Sequence, residues 1–119
     1  MQAKPTHRPS WRLVALDLAI QAIETLRPVV EQVQRRDRDL GEQLRRALSS
    51  VALNVAEGDF SRAGNRVARF STAAGSNAEA RAALRVAVAW GYVEAEATGE
   101  GERMLDRIGG MLYGLGARR

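Results

Sequence analysis

From Trp11 onward, apolar positions recur every three or four residues. Leu13, Leu16, Ile20 and Ile23 make one stripe. Trp11, Val14, Leu18, Ala22 and Thr25 make a second, and Asp17, Gln21, Glu24 and Glu31 share the remaining face. This spacing predicts an amphipathic helix. Pro28 lacks an N–H and crowds the carbonyl four residues back, so a kink or an end is expected there, with 29–34 continuing beyond a kink. The run Arg35-Arg36-Asp37-Arg38-Asp39 reads as a solvated connection. A second helix is predicted over 40–57, with Leu44, Ala47, Leu48, Val51 and Val55 on one face, Gly58 as its stop and a turn over 59–64.

A third, alanine-rich helix is predicted over 65–92. Val67, Phe70, Ala74, Leu84 and Val88 line one side, and Thr72, Ala83, Val86 and Trp90 the other; Gly91 weakens its end. After a turn at Thr98-Gly99-Glu100-Gly101, a fourth helix over 102–117 carries Leu105, Ile108, Leu112 and Leu115. No segment alternates as a strand does, and no repeat is present. The expected fold is all-α: an antiparallel four-helix bundle forming one domain over 11–117, behind a loose tail over 1–10 that contains Pro5 and Pro9. A helix in a lone bundle needs one apolar stripe, whereas the first and third helices carry two. Trp11, Leu18, Val86 and Trp90 are therefore the expected contacts of a homo-oligomer.

Composition narrows the chemistry. The 119 residues include no cysteine and one histidine, His7, which leaves no disulfide framework, no thiol chemistry and little with which to hold a transition metal. No cofactor is expected. Asp17 and Arg85 interrupt the longest apolar stretches, so neither a membrane span nor a secretory signal is expected, and the expected compartment is the cytoplasm.

Formal net charge is +4, and all but one of the 18 basic residues are arginine, the exception being Lys4. The charge is uneven. Residues 61–93 hold Arg62, Arg66, Arg69, Arg81 and Arg85 against Glu79, whereas 94–106 hold Glu94, Glu96, Glu100, Glu102 and Asp106 against Arg103. The five arginines are candidate contacts to nucleic-acid phosphates. The alternative is that they pair with the acids of 94–106 on the same or a neighbouring protomer. Phe60 and Phe70 are isolated, so no aromatic ladder is expected and binding would be to phosphate with little base specificity.

A polar stripe of Gln43, Arg46, Ser50, Asn54 and Glu57 lies opposite the core stripe of the second helix. Thr72, Ser76 and Glu79 form its counterpart on the third. Glu57 and Glu79 could pair as acid–base or cation-binding carboxylates, but no nucleophile or histidine accompanies them. A structural hydrogen-bonded network is the favoured reading, and no enzyme is expected. Gly75 beside Ser76 suggests close helix contact. Gly109-Gly110, Gly114 and Gly116 follow no strand and lack a Lys-Ser/Thr ending, so they are no phosphate loop.

The middle of the chain carries a more specific pattern. It comprises Gln43-Leu44-Arg45-Arg46-Ala47, Asn54-Val55-Ala56-Glu57-Gly58, Ala73-Ala74-Gly75-Ser76 with Glu79, Trp90-Gly91-Tyr92-Val93, and Met111-Leu112-Tyr113-Gly114-Leu115. Over residues 11–117 this resembles the four-helix-bundle proteins encoded in intervening sequences of bacterial 23S ribosomal RNA genes. Val55 replaces the usual Ile, Asn77 and Ala80 stand where the family has Leu, and the connection across 28–39 is longer than usual. The resemblance implies a ring-shaped homopentamer. It also implies kinship with the accessory variability protein of diversity-generating retroelements, a basic pentamer that binds nucleic acid and a reverse transcriptase. Two expectations follow: an accessory module touching structured RNA or DNA, or a protein–protein scaffold whose arginines are incidental.

Overall fold

The computed structural model describes residues 11–59 and 63–116. The expected tail over 1–10 and the side chains of Trp11 and Arg62 lie outside the described residues. Four helices account for almost the whole of this range: α1 (Trp11–Arg36), α2 (Arg38–Asp59), α3 (Ala63–Ala89) and α4 (Ala95–Gly116). Among the described residues there is no strand. Each helix packs on its chain neighbours and α4 returns to α1, closing a four-membered bundle.

The core is built from one stripe per helix. Leu26, Leu44, Leu84, Leu105, Ile108 and Leu112 are buried almost completely, each contributing about 1.5–3 kcal/mol from apolar burial. On α3 the inward residues are Phe70, Ala73, Asn77, Ala80, Leu84 and Ala87, with Val88 half-buried beside them. Of the second stripe only Ala83 is buried; Thr72, Val86 and Trp90 face outward. On α1 the expected roles are reversed. Leu18, at 7% exposure, belongs to the core with Ala15, Ala19, Ala22 and Leu26, and the exposed apolar residue is Ile20 at 44%. Leu18 therefore leaves the set of interface candidates. The short side chains of Ala15, Ala19 and Ala22 let the neighbouring helices approach on that side.

Three expected boundaries are corrected. Pro28 neither ends nor divides α1. It sits on the exposed side, while Val29, Val30 and Val33 continue the buried stripe and hold the second half of the helix in register. The run 35–39 is not a connection, because only Asp37 separates α1 from α2. Asp37 N–H donates to Val33 O at 2.7 Å, while its Oδ1 accepts the Leu40 N–H at 3.0 Å and caps α2. Gly41 makes this corner possible, since a Cβ there would fall 2.7 Å from Gln34 Cα. Third, Thr98–Gly101 is helical. Thr98 and Gly101 are buried, and the Thr98 hydroxyl bonds Ala95 O at 2.9 Å and Glu102 Oε2 at 3.1 Å.

Two glycines differ in purpose. Gly58 lies within α2, where it seats the Phe70 ring: a Cβ there would be 3.0 Å from Phe70 Cδ1. Gly91 ends α3 with φ 77°. Its N–H reaches Val88 O at 2.9 Å and the Tyr92 N–H reaches Ala87 O at 2.9 Å, the pair of bonds that closes a Schellman cap. Gly75, expected to permit close helix contact, instead faces open space.

Candidate nucleic-acid interface

The α3 arginines divide between two flanks of the core stripe. Toward α2, Arg66 Nε donates to Gly58 O at 3.3 Å, placing a cation at the carbonyl end of α2, where it is electrostatically favoured. Arg69 pairs with Glu57 at 3.1 Å, the two side chains 50% and 57% exposed. Toward α4, Arg81 pairs with Asp106 at 3.3 Å, a contact between the basic and the acidic stretch of one protomer. Arg85 is exposed. With Ala78, Arg81, Ala82 and Glu102 it lines a shallow groove between α3 and α4. Exposed ion pairs of this kind contribute about 0–1 kcal/mol each.

The polar stripe is split rather than continuous. Ser50 Oγ and Ser76 Oγ stand 2.7 Å apart across α2 and α3. Asn54 Nδ2 donates to Ser50 O at 2.9 Å and to Ser50 Oγ at 3.0 Å. Gln43, Arg46 and Glu79 are exposed. Glu57 faces Arg69, and Glu79 stands further along α3 by about 15 Å of helical rise, so the two carboxylates are not brought together. Among the described residues no group of three or more His, Cys, Asp or Glu could hold a metal ion. No described helix is long and apolar enough to cross a membrane.

Asn77 is the buried exception. At 3% exposure it donates Nδ2 to Leu105 O at 2.9 Å, while its Oδ1 has no partner. Gly109 makes room for it, since a Cβ there would be 2.9 Å from Asn77 Nδ2. The leucine that the resemblance puts at this position is thus replaced by a hydrogen bond to the α4 backbone.

Sequence reasoning named Trp90 and Tyr92 but not the cluster they form with the end of α1. Where α3 ends, the Tyr92 hydroxyl donates to Asp37 Oδ2 at 3.1 Å, and Gln32 Nε2 donates to Tyr92 O at 3.0 Å. The Arg36 guanidinium carbon lies 5.7 Å from the centre of the Tyr92 ring. The Trp90 ring stacks on the same tyrosine, with centroids 6.5 Å apart and planes inclined by 22°. Desolvation raises the Tyr92 phenol above the usual tyrosine range; the hydrogen bond to Asp37 and the Asp37 charge act in the same direction, against the opposing Arg36 charge. An Asp placed to cap α2 and a Gly placed to cap α3 were the available signals. Both were legible locally, but their meeting was not.

The family model described as 23S rRNA-intervening sequence protein matches residues 12–114. A crystal structure of a protein with unknown function from the S23 ribosomal protein family of Bacteroides thetaiotaomicron superposes with a TM-score of 0.75 at 13% identity. The match covers 86% of this chain and 97% of that one. At that identity the likeness bears on the fold alone. No curated protein matches the chain.

Proposed function

The chain belongs to the 23S rRNA-intervening sequence protein family, and we propose that it acts there as a non-enzymatic, basic accessory module that contacts nucleic-acid phosphates as a homopentamer. The carrying observation is the charge of one helix: α3 holds Arg66, Arg69, Arg81 and Arg85 against the single acid Glu79. Its ion pairs are half-exposed and weak, so phosphate can displace their carboxylates, while Arg85 stands exposed beside Arg81. In this reading the protomer is an antiparallel bundle in the cytoplasm, and five copies concentrate a formal charge of +4 each around one ring.

The assembling surface in this reading is the outer face of α3. Ala68, Gly75, Ala82 and Val86 are exposed there, small enough for another helix to come close. Leu53 at 62% exposure on α2 and Ile20 on α1 supply a second, different apolar surface. A closed ring requires two unlike patches that complement each other, whereas a two-fold dimer requires one.

The test is anisotropy of a labelled structured RNA and a matched duplex DNA. A protein making six or more phosphate contacts loses roughly a thousandfold in affinity or more between about 50 and 200 mM salt. Arg69→Glu with Arg85→Glu is expected to weaken binding and flatten that slope. Absence of binding to either probe at the lower salt overturns the proposal in favour of the protein–protein scaffold.

A further inference from the structure

The Trp90–Tyr92–Arg36 cluster is not used by a phosphate-contacting reading. Trp90 is 69% exposed, the largest exposure of any described aromatic side chain apart from Tyr113. This exposed indole stacks on Tyr92, with ring centroids 6.5 Å apart. Tyr92 beneath it is fixed twice, by its hydroxyl on Asp37 and by its carbonyl on Gln32. Gly91, with φ 77°, is the bend that turns Tyr92 back beside Trp90. The ordering that a stacking surface needs is therefore present before any ligand arrives.

One cation meets the pair directly. Arg36 sits against the Tyr92 ring, and Arg35 and Arg38, both exposed, flank it in the chain and line a shallow groove with Glu31, Gln34 and Glu42. Of the two acids in the run 35–39, Asp37 is committed to the Leu40 N–H and the Tyr92 hydroxyl. The arginines at the end of α1 also favour its carbonyl terminus, but that role does not call for an exposed indole beside them.

A flat aromatic surface next to guanidinium groups matches one ligand chemistry: a planar base carried on a phosphate chain. We propose that Trp90, Tyr92 and Arg36 form a stacking platform for an unpaired base of a nucleic-acid strand, with Arg35 and Arg38 meeting the adjoining phosphates. The proposal rests on the nucleic-acid reading above and deepens it. Phosphate contacts through α3 hold any strand, and the platform selects strands with unpaired bases, because a base inside a duplex has no free face. It adds one stacked pair to a chain in which no aromatic ladder was expected.

The test uses the full chain carrying Trp11→Phe, so that Trp90 is the sole indole. A mixed-sequence single-stranded RNA and its perfect duplex are titrated at low salt, following indole emission and the anisotropy of the labelled nucleic acid together. The expected result is saturable quenching by the single strand and little by the duplex. Trp90→Ala is expected to weaken single-strand binding about tenfold or more while leaving duplex binding unchanged. Equal anisotropy binding of both probes without quenching overturns the platform and leaves the phosphate reading standing. Binding of neither overturns both. A Trp90→Ala protein whose assembled mass falls, measured by light scattering, assigns Trp90 to the contact between copies and also overturns the platform.

Discussion

Gly101 on α4 lies flush against Leu26 on α1. A Cβ at Gly101 would fall 2.7 Å from Leu26 Cδ1 and closer still to Cγ and Cδ2. Leu26 is completely buried and cannot swing away. Overpacking of this kind costs about 1–3 kcal/mol, more than the roughly 1 kcal/mol that alanine gains over glycine within a helix. Gly101→Ala is therefore expected to lower the unfolding free energy by roughly 1–2 kcal/mol in urea titration. A more stable variant would show that α1 and α4 do not cross at this point.

Gly75 gives the opposite expectation. A Cβ there meets nothing within 4 Å, so Gly75→Ala should stabilise the protomer by about 0.5–1 kcal/mol. A large side chain separates protomer from assembly. Gly75→Leu is expected to keep the helical circular dichroism and lose the assembled mass, because in the proposed assembly the added branch stands where the outer face of α3 meets its neighbour. An unchanged mass removes this face from the interface.

Asn77 holds the buried acceptor that has no partner, beside a bond to a carbonyl that the α4 ladder already uses. Removing an orphaned buried acceptor returns about 1–3 kcal/mol, against the loss of one neutral hydrogen bond of about 1 kcal/mol. Asn77→Leu is expected to raise the thermal midpoint. Asn77→Asp places an unpaired charge in the same site and should lower stability by about 3 kcal/mol or more at neutral pH, with recovery on acidification. Thermal unfolding at two pH values distinguishes the pair.

Tyr92 carries a pH signature. Burial first, then the hydrogen bond and charge of Asp37, hold its phenol above the ordinary value. A group whose protonated form is favoured in the folded chain contributes stability that is complete below the unfolded value near pH 10. That stability is lost as pH rises through the folded value. Spectrophotometric titration should show one tyrosine ionising late, and Tyr92→Phe should remove that step. Asp37→Asn, which withdraws the charge, should move the step back toward the usual range. If Tyr92→Phe leaves the late step in place, the step belongs to another group.

How much of this is legible in the sequence differs by element. The stripes Leu44–Leu48–Val51–Val55 and Leu105–Ile108–Leu112 are legible, because a clean 3.6 period points one way only, and all are buried. On α1 and α3, apolar residues occupy more than one face, and periodicity cannot choose between them. Leu18 went inward and Val86 outward according to which neighbouring helix was present to cover each. The start of α4 was misplaced for a related reason. The Thr98–Gly101 run carries a local breaking signal, but burial of Thr98 and Gly101 within α4 outweighs a penalty of about 1 kcal/mol per glycine. Helix α2 ends at Asp59, one residue past the expected stop at Gly58, and α1 takes the expected continuation beyond Pro28.

The sequence by itself determined the helical composition, the family and the concentration of arginine on α3, since these depend on residue identity and short spacings. Only the tertiary structure decided which apolar stripe is core, which arginine meets which acid, and that Trp90, Tyr92, Arg36 and Asp37 share one corner. Tyr92 and Asp37 are 55 residues apart in the chain. Nothing local links them until α3 has run its length beside α2 and the left-handed turn at Gly91 brings the tyrosine back to the start of that helix.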